Sequence, residues 1–273
     1  MVAIVYMVAG MSSRFGGMPK QMAQIGPNDE TLIEYSVNQA LTQSFSELIF
    51  ITNARTEHLF QKIFKSNYKG VNVKYIQQKY DANMRIRPWG TTDAVCCLLE
   101  HINDSFILVN GDDIYGELTF KTGFENMQNP INIIGGLPVK KTINNDGEVN
   151  RGILTIHENK VVKIEEMLGI SRKNNPELME QLANVNFIGL QYKVLKDLKF
   201  ILDDFKKRYE NDEKIECFLT DNLNILLENK KIHIDFFEIK EPIIGITNPE
   251  DAQKIKTLLS TEKNNDLKEN SYF

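Results

Sequence analysis

Val2 to Val8 is short, β-branched and uncharged, the composition of a strand buried on both faces, and it runs directly into Ala9-Gly10-Met11-Ser12-Ser13-Arg14-Phe15-Gly16-Gly17-Met18-Pro19-Lys20. A strand without a polar face needs neighbouring strands and covering helices, which an α/β architecture supplies. The turn that follows leaves backbone N–H groups free to point at phosphate oxygens, because Gly10, Ser12 and Ser13 let the chain pass close to a ligand. Arg14 adds a planar fork of donors and Lys20 a mobile point charge, a pairing suited to a triphosphate whose negative charge shifts during phosphoryl chemistry. Two commoner phosphate loops do not fit. A P-loop needs Gly-Lys-Ser/Thr, whereas Gly17 precedes Met18-Pro19-Lys20-Gln21, and a dinucleotide fingerprint needs glycine where Ser12 stands.

Strand-like and helix-like segments then alternate, as in a parallel sheet with crossover helices. Thr31-Leu32-Ile33-Glu34 reads as a capping box opening a helix to about Thr42, Leu48 to Thr52 as a strand, Thr56 as the cap of a second helix, and Val71 to Ile76 as a strand. Thr91 or Thr92 starts a third helix through Leu99. The apolar strand Phe106 to Val109 ends at Asn110-Gly111-Asp112-Asp113. From about Ile131 short strands follow without long helices, at Ile131 to Leu137, Gly152 to His157 and Val161 to Glu165, consistent with an antiparallel section on the substrate side. Helices are expected at Val194 to Tyr209 and Leu219 to Glu228, a strand at Ile232 to Ile239, and a last helix from Asn248-Pro249-Glu250-Asp251. The stretch 260–273 is polar and expected to be a disordered tail.

Composition narrows the partners. A net charge of −5 argues against a general nucleic-acid binder, so basic residues that matter are local to a site. No apolar run approaches the roughly 20 residues of a membrane span, and no basic segment precedes the first strand, so a cytoplasmic protein without membrane contact is expected. The 3 cysteines form no C-x-x-C spacing and the 4 histidines no helical pair, which speaks against a zinc site. The sequence is compatible with a homo-oligomer.

Ligands of open α/β sheets bind beyond the carboxyl ends of the strands, and three polar clusters fall at such ends: the Gly10 to Lys20 loop, Gln77 with Gln78, and Asn110 to Asp113. Asp112, directly after a buried strand and a glycine, is placed to hold Mg²⁺, which takes one or two carboxylates together with phosphate oxygens.

The series AGMSSRFGG-PK, Gln78, Pro88-Trp89-Gly90-Thr91, VNGDDIYG, NRG, VVKIEE, NVNFIG, FLTDNLN and GITNPED resembles, over about Val2 to Leu259, the nucleotidyltransferase superfamily that makes nucleotide sugars. The resemblance implies a Rossmann-like, GT-A type three-layer sandwich with a mostly parallel central sheet and an antiparallel substrate-side insertion, forming one domain over 1–259. It implies attack of an acceptor phosphate, a sugar 1-phosphate, on the α-phosphorus of an NTP, with release of pyrophosphate and help from Mg²⁺. By the same resemblance Ala9, Gly10, Met11 and Ser12 wrap the nucleotide, and Arg14 and Lys20 stabilise the charge on the phosphates. Gln78, Gly90 and Thr91 contact the base, and Asp112 binds the metal. Asn110, Gly152, Glu166 and Asn186 fall on the substrate side, with Glu166 holding sugar hydroxyls and Gly152 allowing close approach.

Two departures stand out. Many relatives carry a lysine that grips the sugar phosphate where this chain has Met167, leaving Arg151 or Lys163 to take over. Many also carry a second acidic or amide metal ligand before the last helix, where this chain offers Gly245, Thr247 and Asn248. Met18-Pro19-Lys20-Gln21 also resembles cytidylyltransferases acting on phosphorylated alcohols such as phosphocholine, and the departures leave room for a nucleotide-binding regulator without turnover.

Overall fold

The computed structural model describes residues 1–10, 18–143, 147–246 and 249–269, the last of these without side chains at 249–250 and 262–269. In chain order the strands are β1 (Val2–Met7), β2 (Glu47–Thr52), β3 (Asn67–Tyr68), β4 (Val71–Gln77), β5 (Ser105–Asn110), β6 (Asp113–Ile114), β7 (Asn132–Pro138), β8 (Val149–His157), β9 (Lys160–Ile170), β10 (Leu182–Leu190), β11 (Ile234–Glu238) and β12 (Ile244–Gly245). The helices are α1 (Leu32–Ala40), α2 (Glu57–Phe64), α3 (Thr91–Cys96), α4 (Glu117–Asn126), α5 (Tyr192–Arg208), α6 (Leu219–Glu228) and α7 (Pro249–Glu269).

Among the described residues one sheet runs in the order β3-β4-β2-β1-β5-β10-β7-β11-β9-β8, and β6 pairs separately with β12. Parallel ladders join β4, β2, β1 and β5, as expected of strands linked by crossover helices. The sheet as a whole is mixed. β10 runs antiparallel to both β5 and β7, and the β8–β9 hairpin is antiparallel, so the expected mostly parallel character is confined to the N-terminal block and to β7 with β11.

Alternation along β1 sorts its side chains into two cores. Ala3 and Val5 pack with Val95, Leu198 and Leu223 of α3, α5 and α6, while Ile4 and Tyr6 pack with Val37, Phe60 and Phe120 of α1, α2 and α4. Both faces are therefore covered, which explains a strand with no polar positions. No helix among the described residues is long and apolar enough to cross a membrane.

Several local expectations change. Thr56 does not cap α2 through its side chain. Asn53 instead closes the turn that leads into the helix, its Oδ1 accepting from the N–H groups of Arg55 (2.9 Å) and Thr56 (3.0 Å), both ahead of the first helical residue. The third helix stops at Cys96 and tightens into a 3₁₀ turn over Cys97–Glu100. Strand β10 and helix α4 go unread in the sequence. The apolar alternation of β10 is broken by a bulge between Asn184 and Phe187, and α4 has glycine and threonine in its interior. The last helix continues past Leu259 to Glu269.

The expected capping box of α1 is formed: Thr31 Oγ1 accepts from the Glu34 N–H (3.3 Å) and Glu34 Oε2 from the Thr31 N–H (2.9 Å). Thr31→Ala is predicted to cost about 1 kcal/mol, read as a lower urea midpoint with an unchanged m-value.

Candidate active site

The parallel register of β1 with β5 places Met7 beside Asn110, so the two strands end together. Gly111 donates its N–H to the Met7 carbonyl (3.1 Å), and a side chain there would lie 2.3 Å from Val8 Cγ1, so only glycine lets the second turn fold against the first. Asn53 Nδ2 donates to the Ala9 carbonyl (2.8 Å) and ties the first turn to the end of β2. The result is an open cavity of about 730 Å³. Ala9, Gly10, Lys20, Gln78, Gly90, Thr91, Asn110 and Asp112, eight positions singled out from the sequence, all line it. Met11, Ser12 and Arg14 lie outside the described residues, as do Thr247 and Asn248.

Lys20 Nζ and the Asp112 carboxylate form an ion pair at the cavity wall, and the same ammonium donates to the Ile246 carbonyl (3.4 Å). Gln21, beside it on the same wall, is 4% exposed, and its Oε1 is buried with no partner among the described residues. Asp113 does not line the cavity. It pairs with Gly245 across the short β6–β12 ladder, accepts from Asn110 Nδ2 (2.9 Å), and is pushed up from the usual carboxylate range by burial first and by the neighbouring Asp112 charge second.

The opposite wall is built by α3 and the segment that precedes it. Gly90 caps α3 with φ +97°, and a Cβ there would stand 2.8 Å from the backbone nitrogen and oxygen of Cys217, so this position requires glycine twice over. Arg85, 4% exposed, donates to the carbonyls of Arg87 (3.2 Å), Asp212 and Ile215 (2.5 Å) while its guanidinium lies 3.4 Å over the Trp89 ring. That clamp holds two chain segments together and presents the Arg87–Glu216 ion pair (2.9 Å) at the cavity rim. Trp89 is thus a packing residue, its ring also meeting Phe205 edge-on, and it does not line the cavity. Gln77 faces away from the cavity and lines a separate surface groove beside Lys79 and Glu100.

Gly152, Glu166 and Asn186 are not part of the cavity lining. Gly152 and Glu166 face each other across the β8–β9 ladder, and Glu166 Oε2 accepts from Thr220 Oγ1 (3.2 Å) at the start of α6. Burial raises the Glu166 carboxyl, an effect opposed by the Thr220 hydrogen bond and by the Arg151 charge. The neighbouring Leu219 donates its N–H to Thr91 Oγ1 (2.8 Å), so one turn of α6 touches both groups of residues. Asn186 sits in the β10 bulge with φ +60°, its N–H donating to Asn184 Oδ1 (2.9 Å). The adjacent Val185 carbonyl accepts from Tyr115 Oη (2.9 Å), which itself accepts from the Asn110 N–H (3.2 Å).

Sequence reasoning missed Gln21, Arg85, Arg87 and Glu216. Gln21 adjoins Lys20 and carries the only local signal; the others depend on a loop more than a hundred residues away.

A protein-family model described as nucleotidyl transferase matches residues 16–167. No curated protein sequence matches the chain. The chain is similar in structure to a Bacillus anthracis protein assigned as a glucose-1-phosphate thymidylyltransferase (TM-score 0.69, 16% identity, 95% of this chain and 96% of that one). It is also similar to a UDP-glucose pyrophosphorylase from Acinetobacter baumanii (0.65, 16%, 98% and 98%) and to the inositol-1-phosphate CTP transferase from T. maritima (0.64, 15%, 93% and 96%). At these identities the likeness is one of fold.

Arg85→Lys is predicted to loosen the cavity wall, because an ammonium cannot donate to three carbonyls in one plane while stacking on Trp89. Limited proteolysis should then cut within 209–217 faster than in the wild type, with the far-UV spectrum unchanged.

Proposed function

The chain belongs to the nucleotidyl transferase family, and from that premise we propose that it transfers a nucleoside monophosphate from an NTP to a sugar 1-phosphate, with Mg²⁺ and release of pyrophosphate. One observation carries the reading: the two strand-end turns, the Lys20–Asp112 pair and the Gln78–Gly90–Thr91 wall share a single cavity. A ligand with a planar head and an anionic tail fits such a division of one polar wall and one charged wall.

Among the described residues no three His, Cys, Asp or Glu side chains converge on a metal position. Asp112 alone faces the cavity from the acidic pair, and this donor set suits Mg²⁺, which keeps water and phosphate oxygens as most of its ligands. When bound through Asp112, the metal would offset phosphate charge. Lys20 and Asp112 neutralise each other before substrate arrives. A metal triphosphate brings a cation for Asp112 and an anion for Lys20, so the pair can be exchanged without leaving either charge alone. Arg14 joins Lys20 on the phosphates in this reading, and Ala9 to Ser12 wrap them. An acceptor phosphate is already ionised near neutral pH, so the chain needs no nucleophile of its own and contributes alignment and charge stabilisation.

Glu166 and Gly152, with Asn186, hold the acceptor beside the nucleotide. Arg151 takes the place of the lysine absent at Met167. It stands opposite Met167 in the β8–β9 register, its Nε is buried with no partner among the described residues, and its charge reaches both the Asp113 and Glu166 carboxylates. Lys163, the other candidate, is exposed and engaged by Glu165 at 2.7 Å. The inositol-1-phosphate CTP transferase of similar fold gives a specific reason to include CTP and phospho-alcohols as the alternative donor and acceptor.

The test is pyrophosphate release from each NTP against a panel of sugar 1-phosphates and phospho-alcohols, phosphocholine and inositol 1-phosphate included. Asp112→Ala and Lys20→Ala should each lower kcat/KM by about 100-fold or more with folding intact, and near-normal rates would end the reading. Nucleotide binding without release for any acceptor would identify a regulator instead. Arg151→Ala should raise the acceptor KM by about tenfold or more with little change in the KM for the NTP, while Lys163→Ala should do neither.

A further inference from the structure

Gln78 follows β4 directly, is 8% exposed, and is fixed at its backbone by donation to the Thr52 carbonyl (2.9 Å). Its side-chain Nε2 spends both protons inward, one on the Gly90 carbonyl (2.9 Å) and one on Asp93 Oδ2 (2.8 Å). Both partners are pure acceptors, so the reverse orientation of the carboxamide would set Oε1 against a carbonyl and a carboxylate oxygen at under 3 Å, and the chemistry of the partners decides the orientation. Asp93 is itself held. Its side chain is 6% exposed, and Oδ1 meets Lys206 Nζ of α5 at 2.5 Å, so the buried charge is paired and its second oxygen is committed to Gln78.

Gln78 Oε1 accepts from none of the described residues, and Gln78 lines the nucleotide cavity. We propose that Asp93, locked by Lys206, sets the hydrogen-bond polarity of the base-reading wall: Gln78 presents only an acceptor, and the site takes a nucleobase that offers an N–H at that point. Asp93 and Lys206 touch no substrate; they are positioning residues that determine specificity. The inference rests on the nucleotidyl transferase reading above, which brings the base to Gln78. Where Gln78 Oε1 meets the ring nitrogen rather than an exocyclic amino group, it favours the imide N–H of uracil or thymine over the bare N3 of cytosine, and the N1–H of guanine over the bare N1 of adenine. Asp93→Asn leaves one acceptor oxygen for two donors. With Lys206 taking it, the new amide faces Gln78 with N–H groups while the Gly90 carbonyl remains an acceptor, so the carboxamide stands between a donor and an acceptor and its orientation is no longer fixed.

The experiment measures binding of UTP, dTTP, CTP, GTP and ATP with Mg²⁺ by calorimetry, without acceptor, to wild type and to the Asp93→Asn, Lys206→Gln and Lys206→Arg variants. The wild type should prefer UTP or dTTP over CTP, or GTP over ATP, and Asp93→Asn and Lys206→Gln should each shrink that ratio by about tenfold. Lys206→Arg, which keeps the ion pair, should retain it. A purely structural role would weaken all NTPs alike and leave the ratio untouched, and that result overturns the proposal. In the ¹⁵N spectrum of the wild type without nucleotide, the Gln78 side-chain amide, identified by its loss in Gln78→Glu, should show both protons slowed in exchange. A fast-exchanging pair overturns the proposal whether or not the variants fold. Failure of the wild type to bind any NTP would instead remove the functional reading on which this inference stands, and the inference with it.

Discussion

The site depends on two strands ending together. Parallel pairing of β1 with β5 in the Met7 to Asn110 register brings the turn after each strand to one edge of the sheet. From that edge the Lys20–Asp112 ion pair closes the gap between them. A one-residue slip of this ladder would turn Ile4 and Tyr6 toward the core that now holds Ala3 and Val5, and the mismatch in volume with α3 and α1 forbids it. The cavity geometry is therefore fixed by the burial of side chains that never touch a ligand.

Much of this was legible in the sequence where the controlling interaction is local or obeys a strand-end rule. The Thr31–Glu34 capping box links residues three apart and forms as expected, and the turns after β1 and β5 are singled out by the rule that ligand sites of open sheets gather at carboxyl ends, where the parallel register brings them together. What could not be read depends on distant partners. The orientation of Gln78 is set by Asp93, 15 residues away, and by Lys206, 113 residues beyond Asp93. The wall bearing Arg87 is held through Arg85 by a loop about 130 residues downstream. β10 escaped notice because its bulge turns Asn186 into a left-handed conformation and breaks the alternation that marks a strand. That same bulge reaches the site, since Tyr115 bridges the carbonyl beside Asn186 to the backbone of Asn110.

The charged groups are arranged in two grades. Lys20 and Asp112 are partly exposed, at 29% and 23%, and are bound to each other in a way that an incoming anion and cation can replace. Asp93 and Arg85 are nearly sealed, and their partners are protein groups fixed by α5 and by the 209–217 loop. In the proposed reaction, exchange of the first pair would cost little, because a metal triphosphate would offer Lys20 an anion and Asp112 a cation in place of each other. Removal of a partner from the second grade strands a buried charge and is far more costly. The exposed pair is thus suited to turnover and the sealed groups to holding shape.

The first turn of α6 links the two halves of the site. Leu219 donates its backbone N–H to Thr91 at the cavity wall, and Thr220 donates its hydroxyl to Glu166 on β9, the group proposed to hold the acceptor. Asn222, one turn on, donates to Thr92 Oγ1 (2.7 Å) and anchors the same helix to α3. A displacement of α6 would have to break its hydrogen bonds to Thr91 and to Glu166 at once. The separation between the Thr91 wall and the Glu166 carboxyl is consequently set by one rigid element, and the proposed reaction, an in-line attack between two phosphates, would require such placement: held by packing rather than by the ligands themselves.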